Sequence, residues 1–426
     1  MKIAIIGSGI TGLSAAWLLN KYHDITIFEA NDYIGGHSNT VEIPPHPAVD
    51  TGFIVYNELT YPNLIALFDH LGVVRQKTDM GFAVSLDNGR MQYSGDALFA
   101  QSKNILKLSF WQMLFDIVRF YKTAPQILKN PQNNQTLGDY LKDRNYSKAF
   151  INDHLLPMAG AIWSMSAEDT ARFPLKSFVQ FFYNHGLFRL TNRPQWWTVT
   201  GGSREYVNRI TADFANKMRL NCPVLMITRN ENSSILTTAN GNETFDHVIF
   251  ACHTDTALKI LGEQATPNEH EVLSAIPYTE NIAYLHSDPN LMPENKKIWS
   301  SWNYFADTKD GKVFVTYWMN KLQTFLPQEQ PLFVSLNPIT PPAKDNIIKT
   351  IIYHHPHYTE QARNAWKNIH KIQGHRNTWF GGAWCGYGFH EDGITAGLAI
   401  AELISGKKRP WAHKDKSPAG DHIRGG

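Results

Sequence analysis

A glycine-rich turn near the start of the chain restricts the possible fold more than any other feature. The pattern Gly7-x-Gly9-x-x-Gly12 follows an apolar, β-branched run at residues 3–6 and precedes an apolar helical segment at residues 13–20. The first glycine permits a tight turn, the second lets the backbone approach a pyrophosphate, and the third lets the helix pack closely on the strand. The pattern therefore predicts a β-α-β unit that binds a dinucleotide.

The end of the second strand carries the carboxylate that a dinucleotide-binding β-α-β unit uses to bind ribose. Glu29 ends the second predicted strand, 22 positions after the first glycine, and Ala30 follows it without a neighbouring arginine. A glutamate at this place accepts hydrogen bonds from both ribose hydroxyls, and the missing arginine disfavours a 2′-phosphate. The amides of Ile10 and Thr11, at the positive end of the helix, are expected to face the phosphates. A glycine turn beside a surface glutamate is the alternative interpretation.

Further motifs resemble one superfamily of flavoproteins. The pair Gly35-Gly36 before His37, the strand at residues 245–251, the turn Gly381-Gly382-Ala383 and the run Asp392-Gly393-Ile394 resemble, in this order, elements of the flavin amine oxidase superfamily. The strand that begins at Val224 resembles the one whose backbone holds adenine. The resemblance implies FAD as the cofactor. It implies cofactor contacts at Gly35, Gly36, His37, Val224, Gly382, Asp392, Gly393 and Ile394.

A closer resemblance rests on four longer motifs. These are Asp50-Thr51-Gly52-Phe53, Thr60-Tyr61-Pro62-Asn63, Arg193-Pro194-Gln195-Trp196 and Gly386-Tyr387-Gly388-Phe389-His390-Glu391-Asp392-Gly393. They resemble a bacterial FAD-binding oxidoreductase family that is similar to the N-terminal flavin region of plant cyclopropane fatty acid synthases. The resemblance implies a lipid-linked role and, as a partner, a lipid-modifying methyltransferase.

The order of these motifs predicts an α/β fold in which a split FAD-binding domain, Rossmann-like and of the glutathione-reductase type, is interleaved with a substrate-binding lobe. We expect the cofactor domain at residues 1–75, 195–262 and 370–406, and the lobe at 76–194 and 263–369. Residues 407–426 carry six Lys/Arg and two Asp and are expected to form a disordered basic tail. A membrane-spanning helix at residues 3–20 is excluded because three glycines interrupt it.

The C-terminal motif also departs from the amine oxidase pattern. Asp392 is expected to cap a helix that begins at Gly393 and points its positive end at the flavin. The position of the usual cage tyrosine is His390, and Ala383 replaces an acidic residue. His390 is therefore a candidate catalytic acid or base. A structural hydrogen bond within the loop is the alternative.

Composition narrows the remaining classes of protein and binding site. Aromatic residues make up 12% of the chain and include 12 Trp, which suits a pocket for flat or apolar ligands, with core packing as the alternative for the aromatic run at 178–183. The charges nearly balance, 40 − 38 = +2, which argues against nucleic-acid binding. Three scattered cysteines favour a reducing cytoplasm. No companion ligands support a metal site at His354-His355-Pro356-His357.

We therefore expect an FAD-dependent oxidoreductase that takes hydride from a C–H bond of a hydrophobic, lipid or acyl substrate to flavin N5. A flavin amine oxidase and a flavin-bound partner of a lipid-modifying methyltransferase without turnover are the alternatives. An NAD dehydrogenase is disfavoured because no second nucleotide fingerprint follows. We expect a cytoplasmic location, with peripheral attachment at the inner face of the membrane, through the aromatic segment 110–121, as an alternative.

Overall fold

A computed structural model describes residues 1–130, 135–163, 167–184, 186–189, 191–307, 312–412 and 415–425. Among these residues the strands are β1 (Lys2–Ile6), β2 (Asp24–Phe28), β3 (Thr40–Ile43), β4 (His46–Asp50), β5 (Tyr56–Asn57), β6 (Arg75–Thr78), β7 (Phe82–Leu86), β8 (Met91–Ser94), β9 (Trp196–Val199), β10 (Met218–Arg219), β11 (Val224–Arg229), β12 (Ser234–Thr238), β13 (Gly241–Phe245), β14 (His247–Phe250), β15 (Tyr278–His286), β16 (Trp302–Asp307), β17 (Lys312–Trp318), β18 (Phe333–Leu336), β19 (Ile347–Pro356) and β20 (Thr378–Phe380). The helices are α1 (Ile10–Leu19), α2 (Pro62–Leu71), α3 (Leu108–Thr123), α4 (Leu137–Asp143), α5 (Lys148–Phe150), α6 (Leu156–Trp163), α7 (Ala167–Arg172), α8 (Leu175–Asn184), α9 (Arg204–Thr211), α10 (Thr254–Leu261), α11 (Pro267–Ser274), α12 (Met319–Leu322), α13 (Glu360–Trp366), α14 (His390–Ser405) and α15 (Ala419–Arg424).

A five-stranded parallel sheet in the order β10-β2-β1-β14-β20 combines strands from both ends and the middle of the chain. Ile3, Ala4 and Ile5 on β1 are fully buried, as expected for a parallel strand covered on both faces. The carboxyl ends of parallel strands meet at one edge, so the loops after β1, β2, β14 and β20 converge there. The predicted α/β class with a parallel sheet is confirmed.

A second, seven-stranded sheet runs in the order β19-β15-β18-β17-β16-β7-β8. Its strands come from residues 82–94 and 278–356, so the chain visits the two sheets in alternation. Helices α3 and α8 pack with β7, β8, β16 and β17 around a separate apolar core, in which the side chains of Phe178, Phe181 and Phe182 are almost fully buried. These three residues of the aromatic run therefore serve core packing. None of the described helices is long and apolar enough to cross a membrane.

The expectation of a disordered tail was wrong for the described part of residues 407–426. Trp411 stacks on Trp17 of α1 with ring centroids 5.7 Å apart, and α15 packs against α14. Arg409 donates to Glu402 at 2.7 Å and Arg424 donates to the same carboxylate at 3.1 Å. The basic residues suggested a solvated end, but Glu402 on the folded body pairs with two of them, and Ala419 and Ile423 of α15 are buried.

Candidate functional site

The three glycines of the first turn have different surroundings at the carboxyl edge of the parallel sheet. Gly7 has φ +105°, and a Cβ there would lie 2.5 Å from the carbonyl oxygen of Ala251 on the neighbouring chain segment. A Cβ on Gly12 would lie 2.0 Å from the carbonyl oxygen of Gly7. A Cβ on Gly9, at the N-terminus of α1, would meet no described neighbour within 4 Å. Gly7 and Gly12 are thus required by packing, whereas Gly9 borders open space at a helix N-terminus, as a pyrophosphate site requires.

Glu29 is buried at the end of β2 and is surrounded by donors. Its carboxylate accepts from the backbone N–H and hydroxyl of Ser8, at 2.9 and 2.6 Å, and from the backbone and side-chain amides of Asn31, both at 2.9 Å. The sequence pattern did not single out Ser8 or Asn31, since their role appears only once the carboxylate is placed.

The second glycine pair lies directly against the first turn. Gly35 and Gly36 have φ +111° and +58°, and Gly35 forms a parallel bridge with Gly9. A Cβ on Gly36 would lie 3.1 Å from the Cα of Gly9. Cys222, two residues before Val224, lies at the end of β2, because its backbone N–H donates to the carbonyl of Glu29 at 2.9 Å. The tertiary structure therefore brings together residues that the sequence spreads over more than 200 positions.

His37 follows this pair in the chain and is half-buried. Its ring stacks on Tyr353 with centroids 5.0 Å apart and lies 5.5 Å from the ring of His355. Burial, followed by the neighbouring imidazoles of His355 and His253, lowers the pKa of His37 well below its usual value, so the ring is neutral. Its Nε2 is buried and has no partner among the described residues. An orphaned ring nitrogen next to the glycine turns fits a ligand that supplies the missing partner.

The C-terminal motif reaches the same edge through β20 and α14. A Cβ on Gly393 would lie 2.7 Å from Ile10 and 3.0 Å from Thr11, and one on Gly397 would lie 2.2 Å from the carbonyl oxygen of Thr11. The N-terminal ends of α1 and α14 therefore lie side by side, and Ile394 is fully buried between them and the core. Two helix N-termini that converge beside the Gly381-Gly382 turn form a place where partial positive charge accumulates.

The predicted cap needs a correction. Helix α14 begins at His390 and not at Gly393, so Asp392 lies within the first helical turn. Its carboxylate accepts from the backbone N–H groups of Tyr387 and Phe389, at 3.0 and 2.9 Å, and from the hydroxyl of Ser417. Burial raises the pKa of Asp392 to about 6. The carboxylate accepts from backbone N–H groups that precede it in the chain and so provides the hydrogen-bond partners of this turn. The helix therefore begins three residues before the predicted position.

His390 is enclosed by protein side chains. Its Nε2 lies 2.8 Å from the hydroxyl of Tyr206 and 3.0 Å from the hydroxyl of Ser38, and its ring stacks on Phe53 at 3.8 Å between centroids. Burial lowers the pKa of His390 to about 3, so the ring is neutral at working pH. These contacts favour the structural alternative over the catalytic acid or base.

Glu391 joins two of the motifs that carried the closer resemblance. One carboxylate oxygen accepts from the backbone and side-chain N–H groups of Asn63, both at 2.9 Å, and the other accepts from the backbone N–H of Leu64 at 3.0 Å. The carboxylate thereby satisfies the free donors at the start of α2. Asp50 acts similarly at the start of α9, where both of its oxygens accept from the N–H of Ser203 at 2.9 Å. The motifs contained both carboxylates without indicating these partners.

We expect the burial of Glu391 to make stability fall with rising pH near neutrality. Burial raises the pKa of Glu391 from 4.5 to about 8, although the three donors act against this shift. The fold thus favours the protonated form, and the corresponding stabilisation is lost as the pH rises through about 8. The melting temperature of the wild type should fall between pH 6.5 and 8.5, and this fall should be absent in Glu391→Gln.

Glu402→Gln is the matched control for this measurement. The pKa of Glu402 is lowered to about 2, so this buried carboxylate does not titrate in the same interval. The control should therefore keep the fall in melting temperature. Equal falls in the wild type and in Glu391→Gln would contradict the prediction.

Comparisons with known proteins agree with the arrangement of the glycine turns and Glu29 at the edge of the parallel sheet. The family model described as flavin containing amine oxidoreductase matches residues 10–290, about two thirds of the chain. The flavin-containing amine oxidase A of Sus scrofa is 24% identical over 306 residues, which cover 70% of this chain and 53% of the relative. The chain thus spans about half the length of this curated relative.

Solved structures share the fold over nearly the whole chain. A putrescine oxidase variant has a TM-score of 0.69 at 15% identity and covers 95% of this chain and 98% of its own. A CLA-producing fatty acid isomerase from P. acnes has a TM-score of 0.66 at 15% identity, with 95% and 97% covered. The matched model extends from the start of α1 to just beyond the end of β15, over residues 10–290, and identifies the chain as a member of the flavin containing amine oxidoreductase family.

Proposed function

We propose that this protein is an FAD-dependent oxidoreductase that oxidises a C–H bond of a hydrophobic substrate, with an acyl chain as the favoured class. The observation that supports it most directly is the convergence of Gly9, Gly35, Glu29 and the N-terminus of α14 at one edge of the parallel sheet. When bound, FAD would supply the redox chemistry by accepting hydride at its N5 atom. The domain ranges given above remain part of this proposal.

The residues of this chain would hold the cofactor by distinct interactions. The amides of Gly9, Ile10 and Thr11, at the N-terminus of α1, would bind the pyrophosphate in the open space beside Gly9. Gly35 and Gly36 lie against Gly9, and the Nε2 of His37 would supply a further contact to the cofactor. Glu29 would accept from the ribose, Ala30 and the backbone of Val224 would contact the adenosine end, and Gly382, Asp392, Gly393 and Ile394 would lie at the flavin end.

An acyl substrate is favoured by the residues between the cofactor edge and the lobe. Tyr387 and Phe389, just before α14, pack against the apolar cores of both sheets. Phe181 of the lobe stacks on Phe389 with centroids 5.4 Å apart. The positions that carry an acidic residue and a cage tyrosine in amine oxidases hold Ala383 and a buried, neutral His390. This chemistry suits an uncharged chain better than an amine.

Anaerobic flavin reduction tests the proposal. The purified, FAD-loaded protein is mixed without oxygen with unsaturated phospholipids or fatty acids and, separately, with primary amines. Loss of the oxidised-flavin absorbance with lipids alone is the expected result. Loss with amines alone would replace the proposal by the amine oxidase alternative. No loss with either class would favour a flavin-bound partner of a lipid-modifying methyltransferase, which the more specific family resemblance suggests.

His390→Gln separates the structural from the catalytic role of this residue. We expect a lower melting temperature, because the hydrogen bonds to Tyr206 and Ser38 and the stacking on Phe53 are disturbed, and an unchanged pH dependence of flavin reduction. Phe53→Leu removes the same stacking without touching a titratable group and is the matched control. A rate lowered by about 100-fold or more at unchanged FAD occupancy and stability would instead assign general acid or base catalysis to His390.

A further inference from the structure

One face of the lobe exposes a continuous group of large apolar side chains. We call this group the apolar ridge; it consists of Phe99, Ile105, Leu106, Leu108, Trp111 and Phe115, on α3 and on the turn that precedes it. Leu106, Leu108 and Phe115 are 90%, 73% and 67% exposed. Single exposed apolar residues are ordinary on protein surfaces, but a cluster of this kind marks an interaction site.

The ridge is additional to the core-facing side of the same helix. Phe110, Met113, Ile117 and Phe120 of α3 are buried in the lobe core and already supply the apolar stripe that a surface helix needs. Residues of the ridge occupy the other side, where polar side chains are usual. The lobe therefore presents a second apolar face, for which the fold of this chain provides no cover among the described residues.

Charge around the ridge indicates what covers it. Residues 97–130 contain five basic residues and one acidic residue, a local charge of 5 − 1 = +4 in a chain whose total is +2. The acidic residue, Asp116, is buried and paired with Arg119 at 3.0 Å. Lys103, Lys122 and Lys129 are exposed. An amphipathic segment that combines exposed apolar and aromatic side chains with exposed lysines, and whose acidic residue is buried, is typical of segments that lie in the interface of anionic lipid bilayers.

We infer that the apolar ridge docks the lobe on the surface of an anionic lipid bilayer. Helix α3 then lies along the interface, with Leu106, Leu108 and Phe115 in the acyl region and the lysines at the headgroups. The core on the inner side of α3 is the one that contains Phe181, which contacts Phe389 at the cofactor edge. Docking would thus place the lobe between the lipid and the proposed site, but the inference itself does not depend on redox activity.

Vesicle flotation tests the inference with the full chain, loaded with FAD. The protein is mixed with vesicles of phosphatidylglycerol and phosphatidylcholine in equal parts, or of phosphatidylcholine alone. The wild type should float with the anionic vesicles. The triple variant Leu106→Ser/Leu108→Ser/Phe115→Ser should bind them at least about tenfold more weakly. Ile348→Ser/Ile352→Ser removes two exposed apolar residues from β19 and should bind like the wild type.

A charge variant provides an independent arm if the triple variant folds poorly. Lys103→Glu/Lys122→Glu leaves the apolar ridge intact and should also reduce flotation with anionic vesicles, with a smaller reduction at high salt because charges are screened there. Flavin absorbance and circular dichroism check the fold of each variant. Failure of the wild type to float, or equal flotation of the wild type, the triple variant and the charge variant, would overturn the inference. A wild-type dimer that the triple variant converts to a monomer would assign the ridge to self-association instead.

Discussion

Replacing Gly9 by valine should give a folded protein that does not bind FAD. The backbone of Gly9 has φ −69° and ψ 177°, which valine adopts without strain, and its added Cβ would meet no described neighbour within 4 Å. The fold therefore tolerates the side chain. The open space that it fills is the one in which the pyrophosphate would contact the amides of Ile10 and Thr11. We expect FAD affinity to fall by about 100-fold or more, since the close backbone approach is lost.

The measurement combines colour with stability. Purified wild-type protein should show oxidised-flavin bands, whereas Gly9→Val should lack them and should have a melting temperature close to that of the wild type stripped of FAD. Gly9→Ala adds one methyl group at the same place and should bind FAD with intermediate affinity. Normal FAD occupancy in Gly9→Val would place the pyrophosphate elsewhere and would contradict the proposed site.

Replacing Gly12 by valine should have the opposite result, namely loss of the fold itself. A Cβ at this position would lie 2.0 Å from the carbonyl oxygen of Gly7 and 3.3 Å from the Cβ of Ala251. The backbone of Gly7 has little freedom to move away, because its N–H donates to the carbonyl of Phe28 at 2.8 Å and a Cβ on Gly7 would already lie 2.5 Å from the carbonyl oxygen of Ala251. We expect a loss of more than about 4 kcal/mol in the free energy of unfolding, enough to prevent accumulation of soluble protein.

Soluble yield and thermal unfolding followed by circular dichroism check this expectation. Gly9→Val is the internal control, since it places the same side chain three residues away in the same turn. If Gly12→Val folds with a normal melting temperature and merely loses FAD, close packing of α1 on the sheet is not the reason for this glycine. The two variants thus distinguish a glycine required by the ligand from one required by the fold.

Much of the candidate site could be predicted because its signals are local. Gly7, Gly9, Gly12 and Glu29 lie within one β-α-β unit, and their spacing follows from the geometry of strand, turn and helix. The motifs at Gly35 and Gly382 were predicted from resemblance, and the parallel sheet places them at the same edge. The contact of each of these residues with the cofactor is part of the proposed function.

Contacts between distant segments could not be predicted. Glu391 lies 328 positions from Asn63, and the hydroxyl of Tyr206 lies 184 positions from His390. The same holds for the tail, where Glu402 and Asn63 order Arg409 and Trp411. A motif indicated that such residues matter, but a carboxylate or an imidazole serves packing, capping or catalysis equally well until its neighbours are known.

The sequence alone determined the class of fold and the type of ligand, because steric limits on glycine turns and the period of buried strands are properties of short segments. Tertiary structure alone decided which polar groups already have partners within the protein. Asp392 is engaged by the turn before α14, His390 is enclosed by Phe53 and Tyr206, and the Nε2 of His37 lacks a described partner. Burial and hydrogen-bond partners set the protonation state and availability of these groups, and both arise only when distant segments pack together.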